Sequence, residues 1–408
     1  MNGWNRGNEK QAAMKEWGEL KFIHTADWHL GKLVQGVYMT EDQRHVLNQL
    51  AAAVAEEKPD AVVIAGDLYD RAIPPVEAVE LLNELLEKIV VELETPVLAI
   101  SGNHDSPDRL QFGAKMMERR GLHLAGQLKA DMRPAVLRDA YGEVHFHLVP
   151  YADPAMVRYT FGDEDIRTHD DAMKAVTAKI AAGMDPKARH VLVGHAFVTP
   201  GGLPQANTSE SERPLSVGGA EHVHAEYFKP FHYTALGHLH QAHYVAQETV
   251  RYAGSPLKYS ISEENHRKGY LIVELDQDGR AAVEKREFVP LRDMRRISAS
   301  IEELESHSPC NDYVFVTLLN DNPVLFPMEK VRAVYPNALH VERRMTMRAQ
   351  GGDKDAAEAE AQSRSQTDPV SLFASFYREV NGADLSEGKT KLFAEVYTEL
   401  LRTEGGAV

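Results

Sequence analysis

Val97-Leu98-Ala99-Ile100-Ser101-Gly102-Asn103-His104-Asp105 is the stretch that decides the fold. An apolar run of that length reads as a buried parallel strand, and the Gly-Asn-His-Asp turn at its carboxyl end puts polar side chains where open α/β sheets bind ligands. Other strands end in the same way. Asp27 and His29 follow Phe22-Ile23-His24-Thr25-Ala26, and Asp67 follows the run Ala61 to Gly66. His195 follows Val191-Leu192-Val193-Gly194, while His238 and His240 follow Ala235-Leu236-Gly237. Donors of metal-ligand type therefore reach one sheet edge from five places, in the order D-x-H, GD, GNHD, GH, GHxH.

The 408 residues suggest two or three domains and are ample for a sizeable core. Apolar content of 43% and charged content of 26% are those of an ordinary globular protein. No apolar run approaches the roughly 20 residues that span a bilayer, so no membrane segment is expected. The lone Cys310 excludes an intramolecular disulfide and fits a reducing, cytoplasmic setting. Met1 to Glu19 lack the apolar core of a signal peptide and read as a mobile extension, residues 1–20. A net charge of −16 argues against a protein that coats nucleic acid indiscriminately, because phosphate binding needs clustered Lys and Arg. It does not exclude a DNA enzyme, since divalent ions in a carboxylate-rich site reverse the local sign.

A helix from Glu41 to Glu57, broken by Pro59-Asp60, separates the strand ending at Asp27 from the strand ending at Gly66, which is the βαβ pattern. A second helix, Val76 to Val91, carries Val79, Leu82, Leu85, Leu86 and Ile89 on one face. His145 and His147 alternate with apolar residues and read as the less buried face of a strand, and His222 and His224 read as surface residues. The loop Thr199 to Gly219 is long enough to be a functional or disordered segment. Gly269 to Leu275 and Ala281 to Phe288 form a closing hairpin, and the first domain, 21–290, ends near Pro290. Residues 291–349 read as a small α/β cap without a site of its own, and 350–368 have linker composition. Within 369–404, two amphipathic helices carry Val370, Leu372, Phe373, Phe376 and Tyr377, then Leu392, Phe393, Val396, Tyr397 and Leu400. On such a tether they must pack back on the body or on another chain.

The set DWH, GDLYD, GNHD, GHA and GHLH resembles the calcineurin-like metallophosphoesterases. The longer strings HTADWHLGK, AGDLYDRAIPP, SGNHDSPDRL, TALGHLHQ and YAGSPLKYS resemble, within that superfamily, the D subunits of bacterial SbcCD double-strand-break repair nucleases, from about Lys21 to about Leu291. The resemblance implies an α/β fold: a two-sheet sandwich with a small α/β cap and a C-terminal tethered helix pair. It implies a metal-dependent DNA nuclease acting as a 3'-5' exonuclease on duplex DNA and an endonuclease on hairpins or ends, in repair and recombination. Its implied partners are DNA and an SbcC-like ATPase gripped by the C-terminal helices, in a heterotetramer built on a dimer of D subunits.

A dinuclear centre holds two divalent ions about 3.5–4 Å apart and needs a bridging carboxylate. Asp67, in a tight Gly-Asp turn, is the best candidate, and the family carries its bridge at this motif. By the same transfer Asp27, His29 and His240 complete one ion's shell, and Asn103, His195 and His238 the other. This mixture of carboxylate, amide and imidazole suits Mn²⁺, with Mg²⁺, Fe²⁺ or Zn²⁺ as alternatives. His104 is the expected catalytic residue, pointing toward substrate to stabilise charge or protonate the leaving group. Asp105 either orients His104 or caps the next turn, and Asp70 receives no catalytic role. A general metallophosphatase would use the same ligands without needing a cap and helix pair. A non-catalytic scaffold would be expected to have lost ligands, and none is missing.

Overall fold

The computed structural model describes residues 18–201, 209–212, 215, 221–320, 322–344, 369–381 and 384–404. The extension up to residue 17, most of the Thr199–Gly219 loop, residues 345–349 and the linker 350–368 lie outside the described residues. Met1–Arg344 and Met345–Val408 form separate units.

Two six-stranded sheets make the body. In the first, Leu20–Thr25, Ala61–Ala65, Val97–Ile100 and Leu122–Ala125 run parallel, and the hairpin Gly269–Leu275/Ala281–Glu287 adds two antiparallel strands at one edge. In the second, Gly142–Val149, Arg189–His195, Tyr233–Gly237 and Gln247–Tyr252 are parallel, flanked by antiparallel Ala135–Asp139 and His243–Val245. Central parallel strands are buried on both faces, which is why their sequences read as continuous apolar runs. Phe22, Val63, Leu98 and Ile100 meet Val144, Phe146, Val193 and Tyr233 between the sheets. Phe22 packs edge-on against Phe146 and Tyr233 at 5.4 and 5.6 Å.

Helices cover the two outer faces. Thr40–Glu57 and Val76–Leu86 pack on the first sheet, the latter continuing as a π-helical turn, Glu87–Glu92. The buried stripe of the second helix is Ala78, Leu81, Leu82, Leu85 and Ile89. Val79, expected on that stripe, is exposed, because its neighbour Ala78 takes the inward position against Gly31. Pro154–Phe161 and His169–Ala182 cover the second sheet. His147 corrects another expectation, since it is buried and stacked on His190 at 5.3 Å. His222 is half-buried against Phe197 at 4.5 Å, on a short strand paired with Phe197–Thr199, and His224 is half-buried as well.

Residues Met294–Ala299, Tyr313–Leu318 and Ala338–Arg343 form a separate three-stranded parallel sheet, with helices Ile301–Glu305 and Pro327–Val334 enclosing their own core. In the second unit, helices Pro369–Asn381 and Glu387–Glu404 are joined by Phe373 stacked on Phe393, centroids 4.1 Å apart. Part of each apolar face is thus spent on the other helix, while Phe376, Leu392 and Val396 stay about three-fifths exposed.

The two sheets close on each other at the carboxyl ends of their strands. A Cβ on Gly237 would lie 1.9 Å from the Ala65 carbonyl oxygen, so only glycine lets Tyr233–Gly237 approach Ala61–Ala65. Gly237→Ala must push the sheets apart and is expected to cost at least ~1–3 kcal/mol, read as a lower urea midpoint at unchanged slope.

Candidate metal centre

Five strand ends deliver side chains into this closure. Asp27 N–H donates to Gly66 O at 3.1 Å and His29 N–H to Asp67 O at 2.9 Å, so the first two loops are stitched by backbone bonds. The His238 N–H donates to Asp27 Oδ1 at 2.8 Å, which ties the second sheet to the first. Asp27, His29, Asp67 and His238 all have positive φ, at 54°, 46°, 50° and 106°. For non-glycine residues such backbone costs about 1–3 kcal/mol each and persists only where the surroundings enforce it.

The expected ligands converge. Oxygen and nitrogen atoms of Asp27, His29 and Asp67 lie within 4.8 Å of one another. His29 Nε2 is 3.1 Å from His240 Nε2 and 3.6 Å from Asp67 Oδ2. His195 Nε2 is 2.9 Å from Asn103 Oδ1 and 3.4 Å from Asp67 Oδ2, with the His238 ring 5.4 Å away. Asp67 therefore stands between a His29/His240 side and an Asn103/His195 side. Asp27, Asp67, His29, His195, His238 and His240 are all buried.

Electrostatics among these protein groups are strained. Burial pushes the Asp27 carboxyl up to about 7, only partly offset by His195 and His240. Burial acts the same way on Asp67, but His195, His29 and His104 outweigh it and hold that carboxyl well below the usual range. Burial opposes protonation of His195, yet Asp67 and Asp27 hold its imidazole up at about 9. Burial keeps His29 and His238 well below the ordinary histidine value. Asp27 Oδ2 is buried with no hydrogen-bond partner, and two imidazole nitrogens face each other at 3.1 Å. A divalent cation relieves both features, so the donor set fits one.

His104 lies at the mouth, half-buried, its ring 4.6 Å from that of His29. Its Nδ1 is 2.8 Å from the Asp70 carbonyl, which only accepts, so Nδ1 carries the proton and Nε2 is the nitrogen open to a further one. Its backbone N–H donates to Asp67 Oδ1 at 2.9 Å. Asp70, given no role from sequence, thus orients His104 through its carbonyl, while its carboxylate pairs with Lys32 at 2.8 Å. Asp105 neither touches His104 nor caps the next turn. It accepts the N–H groups of Leu68, Tyr69 and Gly102 at 3.1, 2.9 and 2.9 Å, clamping the Asp67 loop to the Asn103 loop. Burial, reinforced by Asp67, pushes its carboxyl up to about 7.

Sequence reading missed the supports behind the ligands. Gln43 donates to the carbonyls of Trp28 and His29 at 3.1 and 2.7 Å and to Tyr259 at 3.1 Å. Glu263 lies 3.0 Å from His240 Nδ1 and is wholly buried. Burial acts against its charge, but Lys268 and His240 prevail and keep it well below the usual carboxylate range. The only signal in the sequence was indirect: Glu263 and Lys268 follow closely on the GSPLKYS string.

Residues 20–242 match the model of the calcineurin-like phosphoesterases. The chain belongs to that family. Beyond the phosphoesterase body, residues 290–381 match a model described as the type 5 capsule protein repressor C-terminal domain. The D subunit of nuclease SbcCD from Staphylococcus epidermidis is 32% identical over 393 residues, covering 95% of this phosphoesterase and 100% of the relative. The chain is therefore also a member of the family of SbcCD nuclease D subunits. Solved structures similar to it include a dimetal phosphatase from Danio rerio (10% identity, 67% of this chain, 98% of that one, TM-score 0.40). Another is GAP50, the anchor in the inner membrane complex of Plasmodium (12% identity, 66% and 84%, TM-score 0.38). Among the described residues, no helix is long and apolar enough to cross a membrane.

Asp105→Asn replaces one accepting oxygen by an amide that donates toward backbone N–H groups. It is expected to lower stability by ~1–3 kcal/mol and to weaken uptake of Mn²⁺ in a calorimetric titration, with the Asp67 and Asn103 loops released from each other.

Proposed function

We propose that this phosphoesterase is the nuclease component of an SbcCD-type complex, hydrolysing DNA phosphodiesters with two divalent ions, Mn²⁺ first among them. The observation that carries the reading is the convergence of the buried Asp27 and Asp67 carboxylates and four buried imidazoles with the half-buried Asn103 amide, with His104 at its mouth. Asp67 would serve both ions, Asp27, His29 and His240 would hold one, and Asn103, His195 and His238 would hold the other. Bound there, the ions supply neutralisation of phosphoryl charge and acidification of a water. Asn103 contributes an oxygen without a further negative charge. His104, oriented by the Asp70 carbonyl, offers Nε2 to the phosphoryl oxygens or the leaving oxygen.

The cap, 291–349, is the DNA-selecting element, and the helices in 369–404 bind the coiled-coil base of an SbcC-like ATPase in a heterotetramer. The relative's printed name and the exposed Phe376, Leu392 and Val396 support that assignment. A general phosphatase is the competing reading; release of phosphate from p-nitrophenyl phosphate without cleavage of duplex or hairpin DNA by the purified chain in Mn²⁺, with and without the ATPase and ATP, would favour it.

Asp67→Asn is expected to abolish DNA hydrolysis and release at least one ion while the circular dichroism spectrum is unchanged. His104→Ala should keep metal and DNA binding but cleave ~10²–10⁴-fold more slowly, measured in single turnover. Loss of metal in step with loss of rate would make His104 structural.

Phe376→Glu puts a carboxylate on the face left open by the helix pair, where partner binding would have to desolvate it. Co-purification with the ATPase should be lost while Mn²⁺ uptake and basal cleavage are kept.

A further inference from the structure

His240 is the expected metal ligand whose outer ring nitrogen is held by side chains. Its Nδ1 lies 3.0 Å from Glu263 Oε1 and 2.8 Å from Ser211 Oγ. A carboxylate only accepts, so Nδ1 carries the proton and the Nε2 lone pair is turned inward, toward His29 Nε2. Glu263 is in turn fully engaged. Its Oε2 meets Lys268 Nζ at 2.5 Å and the Tyr259 N–H at 3.3 Å, while its Oε1 accepts from Ser211 and from Ser209 Oγ at 3.0 Å.

The same groups hold the backbone of His240. Its N–H donates to Glu212 Oε1 at 2.6 Å, and its carbonyl accepts from Lys268 Nζ at 2.9 Å. Glu210 N–H donates to Ser262 Oγ at 3.1 Å, which fastens the 209–212 segment to the turn that carries Glu263. The contrast with His195 is chemical. The outer nitrogen of His195 is held by a backbone carbonyl, Ala65 O at 2.9 Å, inside a central strand. His240 relies on side chains instead, drawn from three separate stretches.

We propose that Glu263, Lys268 and the segment Ser209–Glu212 are a positioning unit for His240, so that retention of the ion on the Asp27/His29/His240 side depends on them and retention of the other ion does not. The inference rests on the two-ion reading above and assigns a function to part of the Thr199–Gly219 loop. None of these residues touches the reacting atoms in this scheme; they fix the tautomer and aim of one ligand.

The test titrates the full metal-free chain with MnCl₂ in a calorimeter. Wild type should take up two ions. Ser211→Ala and Glu263→Gln should each weaken one of them by ~10–100-fold and leave the other as in wild type. Ser211→Thr, which keeps the hydroxyl, should restore wild-type uptake. Glu263→Gln leaves the Lys268 ammonium without its carboxylate and can fail to fold, so Ser211→Ala, at a half-buried site, is the deciding variant. If Ser211→Ala binds both ions as wild type does, the proposal is wrong. It is equally wrong if both ions weaken together with a fall in the melting temperature of the metal-free chain, because that pattern marks a structural role. Uptake of a single ion by wild type would overturn the two-ion reading itself, and the proposal with it.

Discussion

The contact between Gly237 and the Ala65 carbonyl is the constraint from which the centre follows. Two sheets packed face to face are ordinarily held apart by the side chains between them, here Phe22, Phe146 and Tyr233. At one end that spacing collapses, since a single Cβ on Gly237 would meet Ala65 O at 1.9 Å. With the sheets this close, a backbone N–H of one reaches a carboxylate of the other, His238 N to Asp27 Oδ1, and a histidine of one reaches a strand carbonyl of the other, His195 Nδ1 to Ala65 O. Without the closure, the donors from 27–29, 67 and 103 and those from 195, 238 and 240 would face separate solvent-filled edges.

Closure alone does not aim the donors. Of nine non-glycine residues with positive φ among those described, four are Asp27, His29, Asp67 and His238. A strand continuing in extended backbone would leave Asp27 and His29 on one face but about 7 Å apart along the chain. With the backbone bent into the left-handed region at the strand end, both contribute to one cluster with Asp67. The strain is held in place by the loop-to-loop bonds from Asp27 and His29 to Gly66 and Asp67 and by the Asp105 clamp.

Much of this was legible because the signals are local. Apolar runs ending in D-x-H, GD, GNHD, GH and GHxH name both the parallel strands and their polar ends, and the hairpin at 269–287 announces itself by its turn. What stayed hidden depends on contacts between distant segments. Asp105 looked like a turn former, and nothing in its neighbours shows that it receives N–H groups from Leu68 and Tyr69. His147 alternates with apolar residues as a solvent-facing residue would, yet His190 on the adjacent strand covers it. The amphipathic pattern of the C-terminal helices did not reveal that Phe373 and Phe393 would find each other and leave Phe376 outside.

Two adjacent residues near the start of one helix show how such hidden contacts join separate parts of the body. Asp42, buried in the first turn of Thr40–Glu57, accepts from Arg292 at 2.7 Å and from the Tyr313 hydroxyl at 2.8 Å, both at the base of the three-stranded sheet. Gln43, next along the chain and also buried, grips the carbonyls of Trp28 and His29 and the Tyr259 hydroxyl. Consecutive residues on a helix point about 100° apart, so one turn can serve two surfaces at once. A buried carboxylate left unpaired is costly, and only the Oδ2 of this one is satisfied, by Arg292 and Tyr313, while its Oδ1 is buried without a hydrogen-bond partner. The seating of the small sheet and the placement of the loop bearing His29 therefore both rest on the same helical turn.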